Sequence, residues 1–263
     1  VIKVKDALVG KGPIWQAYGA GKMVVQIIEK GLRLNFLQKQ PKGYREPNNK
    51  SFAKNKEFGI AEVKKLVENG VIEEVTEREV ECINPLLVAS NKKGKLRLCL
   101  DLSRYVNLAC DAKKFSIESP SEFVKTVKKG AWAFFYDLKS AFHHIAIIEK
   151  HRKFLGLAIV ENGVERIFRF KQMPFGYEDA SRILTKVVRT PITRWRLADC
   201  PSFIHIDDGL GFSVDLKPRH GSLVGYRAKP HTGVIDLEQI GAYEPADFWE
   251  ELQGRARGNN SGS

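Results

Sequence analysis

Three aspartates stand where metal-assisted chemistry would need them. Asp207 and Asp208 are adjacent, between the apolar runs Phe203-Ile-His-Ile and Leu210-Gly-Phe-Ser-Val. Asp137 ends a third apolar run, Ala131-Trp-Ala-Phe-Phe-Tyr136. If these runs are neighbouring strands, three carboxylates converge at one sheet edge. Carboxylates in contact repel and raise each other's pKa, and divalent cations relieve that repulsion. Mg²⁺ takes oxygen ligands, binding through one or two carboxylates plus substrate phosphates. Two such ions, about 3.5–4 Å apart, can activate an attacking hydroxyl and stabilise a leaving oxygen. A nuclease uses the same arrangement, so the carboxylates alone do not choose between making and breaking a phosphodiester. Asp-Gly is also a favoured turn, and Asp208-Gly209 taken by itself is a solvated hairpin tip. The apolar flanks put the hairpin in a core sheet and favour the functional reading.

Other reactive residues carry less. His143, His144 and His151 match no zinc spacing. Cys82, Cys99, Cys110 and Cys200 form no C-x-x-C pair and read as reduced core thiols of an intracellular protein, in the cytoplasm or nucleus. Gly19-Ala-Gly-Lys22 fails as a phosphate loop, because Gln16 stands at the first glycine position and Met23 replaces the Ser or Thr. It reads as a plain loop.

The elements that must position these residues follow from pattern. Ile60, Val63, Leu66 and Val67 line one helical face, stopped by Gly70. Val71-Ile-Glu-Glu-Val is a short strand. Leu86-Leu-Val-Ala and Leu96-Arg-Leu-Cys-Leu flank the basic tip Asn91-Lys-Lys-Gly-Lys95, a hairpin. Pro120 and Gly130 bracket a helix with Phe123, Val124 and Val127 inward. Asn162-Gly163 is the clearest two-residue hairpin turn. Residues 178–189 make an amphipathic helix, and Asp207-Asp-Gly209 a second tight hairpin. Strands alternating with helices, with hairpins among them, predict an α+β fold with a largely antiparallel sheet. With 263 residues the chain is long enough for a buried core. A net charge of +12 favours polyanionic partners. No apolar run approaches a membrane span, and the first residues carry no secretory signal.

Four segments, in order, resemble the motifs of retroelement reverse transcriptases. Gly94-Lys-Leu-Arg-Leu-Cys-Leu-Asp101 is similar to the fingers hairpin. Phe134-Phe-Tyr-Asp-Leu-Lys-Ser-Ala-Phe-His-His-Ile145 is similar to the first palm motif. Phe170-Lys-Gln-Met-Pro-Phe-Gly-Tyr-Glu-Asp-Ala180 looks like the second, and Phe203-Ile-His-Ile-Asp-Asp-Gly209 like the Tyr-x-Asp-Asp hairpin. Trp15, Ile27-Ile-Glu-Lys-Gly-Leu-Arg-Leu-Asn-Phe36 and Asp207-Asp-Gly-Leu-Gly211 resemble the DIRS-like, tyrosine-recombinase retrotransposon polymerases. His205 departs from the usual Tyr, Ser181 from a usual Pro, and one extra residue lies between Asp101 and Asn107.

The resemblance implies a right-hand polymerase with an antiparallel palm sheet, packed helices and no thumb. Residues 1–57 would be a helical or extended lead-in, 58–215 interleaved fingers and palm, and 216–263 an atypical, partly disordered tail. It implies an RNA-directed DNA polymerase, a nucleotidyltransferase of a retrotransposon. The alternative is a degenerate or domesticated fragment that binds nucleic acid without catalysis. Asp137, Asp207 and Asp208 would be catalytic and hold two Mg²⁺ ions, or Mn²⁺, with the Leu138 carbonyl. Arg97 and Lys95 would bind the triphosphate, with Ser140, Ala141, Phe142, Phe175 and Gly176 around the nucleotide; Phe142 would exclude a ribose 2′-hydroxyl. Implied partners are a template–primer with RNA or DNA template, deoxynucleoside triphosphates and other domains of a retroelement polyprotein, with no membrane.

Overall fold

The computed structural model describes residues 8–91, 94–118, 132–198, 201–213 and 233–235. The expected helix between Pro120 and Gly130, Lys93, Cys200 and all but three residues of the 216–263 tail lie outside these. In chain order the elements are α1 (Gly12–Ala17), α2 (Lys22–Lys30), β1 (Tyr44–Arg45), α3 (Lys50–Lys54), α4 (Lys56–Glu68), β2 (Ile72–Val75) and β3 (Cys82–Ile83). There follow β4 (Leu86–Ser90), β5 (Leu96–Leu100), α5 (Val106–Ala109), β6 (Trp132–Leu138), α6 (Glu149–Arg152), β7 (Gly156–Glu161) and β8 (Val164–Phe170). The last are α7 (Ala180–Leu197), β9 (Ser202–His205), β10 (Asp208–Ser213) and β11 (Gly233–Ile235). The class is α+β, as the alternation predicts.

By internal contacts the chain divides into two units. The first comprises Val1–Gly10, Gln26–Lys114 and Phe142–Ile183. The second comprises Lys11–Val25, Phe115–Ala141 and Leu184–Ser263.

The first unit holds a five-stranded sheet in the order β1-β3-β7-β8-β2 and the β4–β5 hairpin. The five-stranded sheet is mixed, because β1–β3 and β3–β7 pair in parallel. Asn162-Gly163 joins β7 to β8 with positive φ at both positions, the geometry of a type I′ turn. Opposite strands meet through charge: Glu73 faces Arg169 across β2 and β8, and the pair is an ion pair of 2.8 Å. Helix α3 packs on β4 and α4 on β2. Of the predicted inward face of α4, Val63 is fully buried but Val67 is 38 % exposed. That face is narrower than periodicity suggests.

The second unit holds the sheet β11-β6-β10-β9. Strands β6, β10 and β9 pair antiparallel, while β11 joins β6 in parallel. The expected antiparallel sheet is therefore mixed at one edge. Helix α7 runs eight residues past the predicted end and contains Pro191. An interior proline gives up a helix hydrogen bond and costs about 3 kcal/mol. Ile192 and Trp195, 2 % and 1 % exposed, continue the buried stripe of Leu184 and Val188. Burying two such side chains contributes roughly 1.5–3 kcal/mol each, enough to carry the helix through. The carbonyl that Pro191 leaves unbonded, four residues back at Val187, accepts the indole N–H of buried Trp15 at 3.2 Å. Pro191 thus frees the acceptor that anchors α1 to α7.

Candidate nucleotide and metal site

Sheet register decides which aspartates meet. Asp208 of β10 lies directly opposite Asp137 of β6, and opposite His205 of β9. Directly opposed residues project to the same face of a sheet. The Leu138 N–H donates to the Asp207 carbonyl at 2.8 Å. That bond makes Asp137–Asp208 a non-hydrogen-bonded pair, the kind in which side chains come closest. Asp137 is half-buried and Asp208 exposed. The expectation that Asp137 and the Asp207–Asp208 segment share one edge is met in the second unit.

The turn begins one residue before the expected Asp207-Asp-Gly209 and leaves Asp208-Gly209 in the strand. His205 pairs with Asp208, so Ile206 and Asp207 form the two-residue connection and Gly209 lies in the strand. Ile206 has φ of 63°, with Asp207 not positive, the pattern of a type II′ turn. A β-branched residue is a true outlier there, and such conformations cost about 1–3 kcal/mol and cluster at functional sites. Asp207 takes the second turn position, so its side chain is not in register with the other two.

Among the described residues no group of three or more His, Cys, Asp or Glu side chains converges as a metal-binding set. Two facing carboxylates remain. Like charges directly opposed on a sheet are destabilising, and Mg²⁺ needs only one or two carboxylates when substrate phosphates complete its shell. The donor set therefore fits a cation delivered with a nucleotide better than a resident metal held by protein alone.

Leu138 is buried. Ser140 has φ of 54° and Ala141 is buried, in the strand-to-turn exit after β6. The remaining expected residues belong to the first unit. Arg97 and Lys95 are exposed on the β4–β5 hairpin, and neither side chain makes an ion pair among the described residues. Phe142 packs edge-on against Phe175, ring centroids 5.0 Å apart. Gly176, at φ of 111°, brings the chain against β5: a Cβ there would collide with the Leu100 carbonyl oxygen. The Phe175 carbonyl accepts from the Leu100 N–H at 3.1 Å, and the Gly176 carbonyl from Asn107 Nδ2 at 2.9 Å. The close approach that glycine permits is thus to the protein's own backbone.

Residues 186–259 match the family described as 2′-deoxycytidine 5′-triphosphate deaminase (DCD), C-terminal domain. The matching family is a deaminase, not a polymerase. The match covers less than a third of the chain and includes β9, β10 and both Asp207 and Asp208. No curated protein matches the chain. This finding overturns the reverse transcriptase resemblance, DIRS-like affinity included. With it go RNA-directed DNA polymerase activity, the nucleotidyltransferase class, the retrotransposon origin and the binding-only fragment. The template–primer and the polyprotein partners go too, since the matched family's name specifies a nucleotide substrate. Local structural needs account for several of the misleading motifs. Gly176 answers to Leu100, Phe142 and Phe175 pack on each other, and Asp208 opens a strand. The turn at Ile206–Asp207 was missed because a β-branched residue at positive φ contradicts every local preference.

Proposed function

We propose that this chain binds a 2′-deoxynucleoside 5′-triphosphate together with a divalent cation at the Asp137–Asp208 edge. We assign it to the hydrolytic deamination of 2′-deoxycytidine 5′-triphosphate. One observation carries the reading: the deaminase-family match takes in the β9–β10 hairpin, whose Asp208 lies opposite Asp137 of β6. In the reaction water adds to C4 of cytosine and ammonia leaves, giving 2′-deoxyuridine 5′-triphosphate. The cation, when bound, would neutralise phosphate charge and hold the triphosphate. Asp137 and Asp208 would bind it, Asp207 lending negative potential from the turn. His205 lies opposite Asp208 on β9, within the same edge.

Arg97 and Lys95 are proposed as phosphate-directed cations of their own hairpin, since a guanidinium suits bidentate phosphate contact. The fingers-and-palm description of the chain has only motif order behind it. No helix among the described residues is long and apolar enough to cross a membrane. Buried free thiols at Cys82 and Cys110 support a reducing, intracellular setting.

The test is calorimetric titration of dCTP with Mg²⁺, paired with an assay of ammonia release. Mg²⁺-dependent binding that Asp208→Asn weakens at least about tenfold is expected, roughly the worth of one charge-assisted contact. No binding of any deoxynucleoside triphosphate, with or without Mg²⁺, would overturn the reading. Binding without ammonia release would remove deamination and leave the nucleotide site.

A further inference from the structure

The second unit contains a cleft of about 370 Å³ that the carboxylate edge does not use. One wall is the joint between α1 and α2, the other the outer face of α7. Helix α1 ends in a Schellman motif: the Ala20 N–H bonds to the Trp15 carbonyl at 2.9 Å and Gly19 N–H to Gln16 carbonyl at 3.0 Å. Gly19, at φ of 85°, takes the left-handed position that this motif requires. Gly21 then precedes α2 and offers no side chain, and the Lys22 and Met23 N–H groups at the start of α2 have no hydrogen bond among the described residues.

The facing wall is polar and of one sign. Lys186, Arg189, Thr190 and Thr193 line the cleft from α7. Their spacing, i, i+3, i+4 and i+7, puts them on one stripe of the helix. Among the described residues none that lines the cleft is acidic. Neither Lys186 nor Arg189 makes an ion pair among the described residues, whereas Arg196, on the same helix, is paired with Glu118 at 2.5 Å. Two cations with no ion pair among the described residues, two hydroxyls and the start of α2 at Met23 thus line one cavity, whose walls are tied together by the Trp15–Val187 hydrogen bond. Its volume falls at the lower end of small-molecule sites, roughly 300–1,000 Å³.

We propose that this cleft is a binding site for a phosphate-bearing anion, with Lys186 and Arg189 supplying the charge, and Thr190 and Thr193 hydrogen bonds to phosphate oxygens. Its ligand chemistry is that of a di- or triphosphate, whether inorganic or the tail of a nucleotide. The site stands independently of the carboxylate edge, needs no metal, and its test is run without one.

The experiment titrates the full chain with pyrophosphate, tripolyphosphate and dCTP, in EDTA at low salt, by calorimetry. EDTA removes the cation on which the carboxylate edge depends, so the two readings fail separately. Saturable one-to-one binding of tripolyphosphate is expected, and Arg189→Ala with Lys186→Ala should weaken it at least about tenfold. Thr193→Val should weaken it about threefold, by loss of one neutral hydrogen bond. Lys56→Ala, which removes one exposed charge at the start of α4 as Arg189→Ala alone does on α7, should change nothing. All these positions except half-buried Thr190 are exposed, so the variants fold, as far-UV dichroism can check. Comparable affinities for tripolyphosphate and dCTP would place recognition on the phosphates, as proposed. No saturable binding of either polyphosphate, or equal losses in Lys56→Ala and Arg189→Ala, would overturn the site.

Discussion

Asp137 and Asp208 are like charges set opposite each other on one sheet face. Such a pair costs stability and supplies affinity for a cation, so the two should trade against each other. In EDTA, Asp208→Asn should raise stability by about 0.2–1 kcal/mol, the range for cross-strand pairs. The small end is expected because Asp208 is exposed and solvent screens it. With Mg²⁺ and dCTP present the order should reverse, because ligand that binds only the folded state stabilises the wild type more. Urea denaturation under both conditions measures this; a variant that is less stable in EDTA would mean the pair is not repulsive. Gly176 offers a sharper residue-scale test. Gly176→Ala adds a Cβ into the Leu100 carbonyl at positive φ, where backbone strain alone costs about 1–3 kcal/mol. A loss of at least about 2 kcal/mol in urea denaturation is expected on that basis. A near-neutral outcome would show that the loop is not pinned to β5.

Elements were legible where local preference and tertiary demand agree. Asn162-Gly163 supplies two residues tolerant of positive φ, and the β7–β8 hairpin forms there. The convergence of β6 and β10 was legible too, because apolar runs ending in acidic residues must leave the core at a sheet edge. Where the two demands conflict, pattern fails. By pattern alone helix α7 stops before Thr190-Pro191, since proline opposes helix, yet the burial of Ile192 and Trp195 carries it on. The Ile206–Asp207 turn is hidden for the same reason, propensity pointing to Asp208-Gly209 instead. Nor could spacing reveal that Trp15 is the partner of Val187, 172 residues away. That hydrogen bond yields an element-scale prediction. Pro191→Ala restores a backbone N–H, which competes with Trp15 for the Val187 carbonyl. Its gain should therefore fall well short of the roughly 3 kcal/mol that removing a helix proline would otherwise give. In a double-mutant cycle, Trp15→Phe should cost less in the Pro191→Ala background, with a coupling near 1 kcal/mol, about one net hydrogen bond. Strict additivity would mean that Trp15 and Pro191 do not share that acceptor.

At the scale of the whole molecule, a net charge of +12 favours anions without choosing among them, and the nucleic-acid reading of it falls with the family match. Charge does not distinguish a polymer of phosphates from a nucleotide bearing three. The motifs misled for a related reason: each is a few residues answering to a local need, whereas the family match rests on residues 186–259, mostly outside them. Stability against pH is also a whole-chain property, and here its sign can be worked out. His143 and His151 both lie in the first unit and are buried, 7 % and 5 % exposed. Burial lowers each from 6.5 to about 4, with His144 adding to the shift at His143, and Lys150, Arg33 and Lys153 at His151. His151 must stay neutral for a further reason: its Nδ1 accepts the buried Leu34 N–H at 3.0 Å. Between pH 6.5 and about 4 the folded chain holds both rings neutral while the unfolded chain takes up protons. Protons then favour unfolding. Stability from these rings is fully present above pH 6.5 and is lost as pH falls towards about 4. Urea midpoints of the first unit should decline across that window, well before most carboxylates titrate. His151→Asn keeps an acceptor for Leu34 but removes the titration. It should flatten the decline by up to one proton's worth of slope, roughly 1.4 kcal/mol per pH unit. An unaltered slope in that variant would show that the Leu34–His151 bond survives protonation, and that the acid sensitivity of the first unit lies elsewhere.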